Sequence, residues 1–328
     1  MSEKVSEMKN KVVVLDTGYE SYAYEEKLLS DAGYRFILFE GDWHDQCAKI
    51  DFAKDAVGIF IRWTKIDDEF LSQMQHLQAI VRYGVGYDNI DLTAANKFNI
   101  KVANVQGYAN HAVSDHALML MYACARQLPL GQKLLRSEFG KPPAKNVFEF
   151  HDRTLGIIGL GRIGGTLAKK TRHLFSRILA ADPYIDQARF TEIGAVQSSL
   201  EQLLLESDVI SIHCNLTAET KRLLHQPQFR QMAKIPILIN TARGPVIDED
   251  DLTEALKSGL LHSAGIDVYW DEPPKENRND LLNLPNVIST GHYAWYSTNA
   301  AIELQKRAAD NLLMLLRGEI PEDCLNCE

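Results

Sequence analysis

The run Gly156-Ile-Ile-Gly-Leu-Gly-Arg-Ile-Gly164 closes an apolar strand, Thr154 to Ile158, and opens a helix near Arg162. Gly159, Gly161 and Gly164 fall in the order G-x-G-x-x-G. Each glycine answers a physical need. The first permits a tight turn, the second lets backbone approach a pyrophosphate, and the third lets helix and strand pack closely. The helix start, with Arg162 and Ile163 in its first turn, then offers unpaired N–H groups and a positive dipole end to phosphates. A second apolar strand, Ile178 to Ala181, ends at Asp182, eighteen residues past Gly164. Strand, turn, helix, strand and terminal acid together predict a dinucleotide site. A carboxylate at Asp182 accepts hydrogen bonds from ribose hydroxyls and repels a 2′-phosphate, so the expected cofactor is NAD rather than NADP.

A length of 328 residues suggests about two domains. Strand–helix alternation runs throughout, the mark of α/β architecture with parallel sheets. In the first half, strands are expected near Val12–Leu15, Phe36–Phe39, Val57–Ile61, Ala79–Val81 and Val102–Ala103, with a helix from Tyr22 to Ala32 that ends at Gly33. The second half repeats the theme at Leu155–Ile158, Ile178–Ala181, Val209–His213, Ile237–Asn240, Ala264–Val268 and Val287–Ser289. Between them, Ala112 to Leu128 is apolar on nearly every side, as expected of a helix buried at a joint between domains or at a subunit interface. Gln127 to His151, with Pro129, Pro142 and Pro143, reads as an extended arm. The amphipathic stretch Ala300 to Leu316 is expected to cross back to the first unit, leaving a ligand cleft between two domains. The expected division is 1–104 with 293–328 as a substrate domain, and 105–292 as a doubly wound, Rossmann-type NAD-binding domain.

A net charge of −9 argues against nucleic acid or an anionic membrane as the main partner. The first ten residues are polar and charged, unlike a secretory signal, and no apolar run approaches the length of a membrane span, so a cytoplasmic setting is expected. The cysteines at 47, 124, 214, 324 and 327 read as free thiols. Cys324 and Cys327 form a C-x-x-C, but without further ligands or a helix start beside it neither metal nor redox function is expected there.

Candidate chemistry follows three strands of the second half. Arg243 lies in Asn240-Thr-Ala-Arg-Gly244, where a guanidinium can hold a carboxylate bidentately. Glu272 lies in Asp271-Glu-Pro-Pro274, and His292 in Thr290-Gly-His-Tyr-Ala-Trp-Tyr296. Ligands bind beyond the carboxyl ends of such strands, so one rim can gather all three.

These motifs, together with Asp267-Val-Tyr-Trp-Asp-Glu-Pro273 and Arg82-Tyr-Gly-Val-Gly-Tyr-Asp-Asn-Ile-Asp91, resemble the NAD-dependent D-2-hydroxyacid dehydrogenases over nearly the whole chain. Gly291-His-Tyr-Ala-Trp-Tyr-Ser297 and Gly318-Glu-Ile-Pro-Glu-Asp323 are most similar to the branch containing the C-terminal-binding proteins, which are dehydrogenase-fold corepressors. Gly291 departs from the family, which usually has proline there.

The resemblance implies a flavodoxin-like substrate domain beside the Rossmann domain, a homodimer, and reversible hydride transfer between NADH and a small 2-oxo acid. It gives Arg243 the substrate's carboxylate and keto oxygen, His292 the proton, and Glu272 the pairing that favours the imidazolium. Backbone N–H groups of Val85 and Gly86 would cradle the carboxylate, Arg82 would add charge, and Trp295 would line the side-chain pocket. Asp267 would meet the nicotinamide carboxamide, and Thr241, His213 and Cys214 would lie against the cofactor. His111 and His116, at the start of the apolar helix, read as packing residues. The alternative from a different class is an NADH-sensing scaffold that recruits a protein partner, as the corepressors do.

Overall fold

The computed structural model describes residues 10–135, 137–140, 147–275 and 279–327. They form two compact units, Met1–Tyr108 with Ser297–Glu328, and Ala109–Tyr296. The junctions fall after 108 and 296, later than the 104 and 292 read from sequence. The turn after His292 stays with the second unit because the N–H groups of Tyr293 and Ala294 donate to the Asp267 carboxylate.

The first unit holds a parallel sheet of β1 (Lys11–Val14), β2 (Arg35–Leu38), β3 (Gly58–Ile61), β4 (Ala79–Arg82) and β5 (Lys101–Ala103). Its order, β2-β1-β3-β4-β5, is the flavodoxin-like one. Helices on both faces explain why β1, β3 and β4 are continuous apolar runs: Val12 to Val14, Ile59 to Ile61, Ile80 and Val81 are fully buried. The helix Ala23–Asp31 stops before Gly33, which takes the left-handed φ of +85°. The helix Thr298–Leu316 packs on β4 and on Ala23–Asp31, returning to the first unit as the sequence suggested.

The last residues then close the free edge of the sheet. Cys324 bridges Ala103 antiparallel, and Leu325 N–H donates to the Val102 carbonyl at 2.8 Å. Covering an edge strand in this way removes a template for unwanted pairing. Here the reading of five free thiols is corrected. The tight turn brings the Cα atoms of Cys324 and Cys327 within 5.7 Å, and the two are joined as a disulfide. Cys47, Cys124 and Cys214 are free.

The second unit holds a parallel sheet of β6 (Thr154–Ile158), β7 (Arg177–Ala181), β8 (Val196–Gln197), β9 (Val209–Ile212), β10 (Ile237–Asn240), β11 (Ser263–Ile266) and β12 (Val287–Ser289). The order β12-β11-β10-β9-β6-β7-β8 reverses direction between β6 and β9, the Rossmann arrangement. One apolar layer includes Leu120, Leu155, Ile157 and Leu167, and the other Leu203, Ile210, Phe229 and Leu252. The sequence reading missed β8, a two-residue edge strand whose residues are exposed and carry no apolar run.

In the connecting segment one expectation changes. The apolar helix, Asn110–Ala125, lies inside the second unit, packed on the glycine-motif helix and on β10 and β11. Only a strip with Met119 and Tyr122 is exposed. Leu128–Leu134, expected as an extended arm, is helical, with Pro129 in the first turn, where no N–H is required. Pro142 and Pro143 lie outside the described residues.

Candidate active site

The glycine turn is built as its spacing predicts. Gly159 adopts φ +89°, and a Cβ there would stand 2.6 Å from the backbone nitrogen of Cys214. A Cβ on Gly164 would stand 2.1 Å from the Gly159 carbonyl oxygen. These two glycines are demanded by close backbone packing. Gly161 is different: a Cβ there would meet no protein atom within 4 Å. It is the N-cap of the helix Arg162–Thr171, and no side chain caps that helix. Arg162 is exposed and Ile163 half-buried in its first turn.

Asp182, at the end of β7, accepts from Leu160 N–H at 2.7 Å through Oδ2 and from Tyr184 N–H at 3.0 Å through Oδ1. The acid therefore ties down the glycine turn. Each oxygen keeps acceptor capacity after one bond. Thr241 is buried with its hydroxyl unpartnered. His213 meets Ser211 Oγ at 2.8 Å through Nε2 and leaves Nδ1 without a partner. Burial drives the His213 pKa down to about 4, so its ring is neutral at pH 7, and burial pushes the Cys214 thiol up to about 11. An uncapped helix start, open space before Gly161 and an orphaned buried hydroxyl fit a bound dinucleotide.

Strands β10, β11 and β12 deliver the candidate reactive groups. After β10 the Asn240 side chain knots the loop: its Nδ2 donates to the Arg243 carbonyl at 2.9 Å, and its Oδ1 accepts from Ala242 N–H at 3.0 Å. The Arg243 guanidinium donates to the Ala242 carbonyl at 2.8 Å. Gly244 lets this loop touch the one after β11, for a Cβ there would stand 2.0 Å from the Tyr269 carbonyl carbon. In that second loop, Trp270 N–H donates to Glu249 at 2.7 Å and Tyr269 N–H donates to Glu272 Oε1 at 3.0 Å. The other oxygen of Glu272 meets His292 Nδ1 at 2.5 Å. These two side chains are 27% and 20% exposed, so a substrate can reach them. Because an ionised carboxylate only accepts, Nδ1 carries the hydrogen shared with Glu272.

Asp267 is 1% exposed and turned toward the His292 turn rather than outward. Trp295 Nε1 donates to the His292 carbonyl at 3.1 Å, and its ring meets Tyr296 edge-on at 5.6 Å. His111 offers its carbonyl to Lys170. His116, read as packing, instead lies 3.0 Å from the Thr290 hydroxyl, two residues before His292. Nothing local marks His116, Thr290 or Glu249 in the sequence, because their partners are remote in the chain.

Arg82, Val85 and Gly86 belong to the first unit. The 9%-exposed Arg82 ends β4, donates to the Tyr83 carbonyl at 2.8 Å and lies over the Trp63 ring at 5.9 Å. The Val85 carbonyl accepts from Asn104 Nδ2 at 2.6 Å, which fixes the turn that presents the Val85 and Gly86 backbone. Among the described residues no cluster of three or more His, Cys, Asp or Glu is placed to hold a metal.

Residues 118–294 match the family described as D-isomer specific 2-hydroxyacid dehydrogenase, NAD binding domain. A glyoxylate reductase of Korarchaeum cryptofilum is 36% identical over 267 residues, covering 80% of each chain. A D-3-phosphoglycerate dehydrogenase of Archaeoglobus fulgidus is 37% identical over 257 residues, 78% of this chain. The match takes in 48% of that relative, so this chain spans about half its length. A crystal structure of Aquifex aeolicus D-lactate dehydrogenase with NAD and lactic acid superposes with a TM-score of 0.87. It is 25% identical, with 97% of this chain and 100% of that one covered.

Proposed function

The chain belongs to the D-isomer specific 2-hydroxyacid dehydrogenases, and from that premise we propose that it interconverts a small 2-oxo acid and its D-2-hydroxy acid with NAD as cofactor. The observation that carries the reading is the Glu272–His292 pair, with Nδ1 held at 2.5 Å, on the strand-end rim that also bears Arg243.

Arg243 binds the substrate carboxylate and polarises the keto oxygen, since a planar fork of donors matches both. His292 gives a proton from Nε2 to that oxygen during reduction and takes it back during oxidation. Glu272, fixed through Oε1 by the Tyr269 N–H, holds the imidazole in the productive tautomer and balances its charge. Trp295 restricts the substrate's side chain. Gly161 and the first turn of the following helix hold the pyrophosphate, Asp182 the ribose, and Thr241 contributes its hydroxyl. Bound NADH would supply a hydride, the two electrons together with the hydrogen that the keto carbon gains.

The aligned acid–base pair favours the enzyme over the scaffold alternative. The exposed apolar side chains of Met119, Tyr122, Leu128 and Phe139 support pairing with a second copy as a homodimer. The enzyme reading is tested by following NADH consumption against a panel of 2-oxo acids. Turnover with a preferred acid is expected, and tight NADH binding with no turnover on any acid contradicts it.

A further inference from the structure

His292 is a non-glycine residue at φ +54°, in the left-handed region. That conformation costs about 1–2 kcal/mol and needs to be held in place. A Cβ added to Gly291 before it would meet no atom within 4 Å, so no side-chain packing at that position stiffens the turn. The restraint comes from Asp267. Its backbone carbonyl accepts from His292 N–H at 2.8 Å. Its carboxylate accepts from Thr290 Oγ1 at 2.5 Å, Tyr293 N–H at 3.2 Å and Ala294 N–H at 2.9 Å. One buried residue thus gathers donors from either side of His292.

The chain of contacts continues into the buried helix Asn110–Ala125. His116 Nε2 lies 3.0 Å from Thr290 Oγ1 and 3.7 Å from Asp267 Oδ1, and its ring meets Tyr293 edge-on at 5.1 Å. The donors can be ordered. Thr290 has one hydroxyl hydrogen and commits it to Asp267, so its oxygen can only accept from His116. Nε2 of His116 therefore carries hydrogen, and the neutral ring is the Nε2–H tautomer. We propose that His116, through Thr290 and Asp267, is a positioning residue that fixes the turn presenting His292. This rests on the dehydrogenase reading of His292.

The groups facing His116 are consistent with a neutral donor. Asp267 and Tyr293 face it from the strand-end loops, while Asp115 on its own helix pairs with Lys170. Burial lowers the His116 pKa and the Asp267 charge raises it, with the net shift downward. A ring that served only to fill space would need neither the Nε2–H tautomer nor a partner in the His292 turn.

The test uses His116→Gln, whose side-chain N–H reaches the place of Nε2, and His116→Asn, which fills the site but falls short of Thr290. Thr290→Val breaks the chain at its middle without changing shape. Imidazole signals of His292 are followed by NMR in cofactor-free protein, assigned with His292→Asn, alongside kinetics and melting temperature. Expected are displaced or broadened His292 signals in His116→Asn and Thr290→Val, with kcat lowered about 10- to 100-fold. NADH affinity should stay within about twofold in both, and His116→Gln should return most of the loss. His292 signals and kcat unchanged in both disrupting variants overturn the proposal. So does a change in Thr290→Val alone, which would end the chain at Thr290. If the unaltered protein turns over no 2-oxo acid, the dehydrogenase reading fails, and the His292 signals still decide the positioning.

Discussion

Glu272 and His292 are joined through Oε2 and Nδ1 at 2.5 Å, although twenty residues separate them in the chain. The pair exists because two neighbouring strands, β11 and β12, end on the same rim. Glu272→Gln keeps the shape but removes the charge that balances the imidazolium. Turnover should drop on the order of 10²-fold, while NADH binding, measured by fluorescence, stays unchanged. Equal loss of binding and turnover would place Glu272 in cofactor binding instead.

The glycine motif separates into packing and ligand positions. Gly164→Ala drives a Cβ against the Gly159 carbonyl, so it should lower stability by about 1–3 kcal/mol and show as a reduced melting temperature. Gly161→Ala meets no protein atom and should leave the melting temperature unchanged while weakening NADH binding. Identical behaviour of the two variants would contradict this division.

Asp182 holds Leu160 N–H and is assigned to the ribose. Asp182→Asn keeps an acceptor for the turn but removes the negative charge. The ratio of kcat/KM for NADH over NADPH should fall, with little change in melting temperature. An unchanged ratio would remove Asp182 from cofactor discrimination.

In the first unit, Asp16 and Lys49 form a buried ion pair at 2.6 Å, their side chains 2% and 3% exposed. Burial alone would raise the Asp16 pKa, but Lys49 and the N–H groups of Thr64 and Arg62 outweigh it, and the net shift is downward. A carboxylate lowered on folding contributes stability above its unfolded pKa and loses it as pH falls through the folded value. Denaturant titrations should therefore show this contribution intact at neutral pH and fading below about pH 4. Lys49→Met should cost about 3–5 kcal/mol at pH 7 by leaving the carboxylate buried without its cation.

Much of this molecule can be read from its residues. Buried parallel strands announce themselves as apolar runs, so Ile237–Asn240 and Val287–Ser289 fall where expected. The glycines, Asp182, Arg243, Glu272 and His292 are legible because each lies in the segment that follows a strand, where motif and local sequence coincide. What escaped has no local signature. Val196–Gln197 is too short and polar to read as a strand. Leu128–Leu134 carries a proline that reads as a break but sits in a helix's first turn. The contact of His116 with Thr290 spans 174 residues and depends on the whole second-unit fold. The disulfide of Cys324 and Cys327 depends on a turn that C-x-x-C spacing permits but does not dictate.

The most direct test of the account compares the protein with His292→Ala, measuring NADH-dependent reduction of the preferred 2-oxo acid and NADH affinity side by side. The predicted result is a loss of kcat by a factor on the order of 10² to 10⁴ with NADH affinity unchanged. Undiminished turnover in the variant would contradict the assignment of His292 as the group that carries the proton.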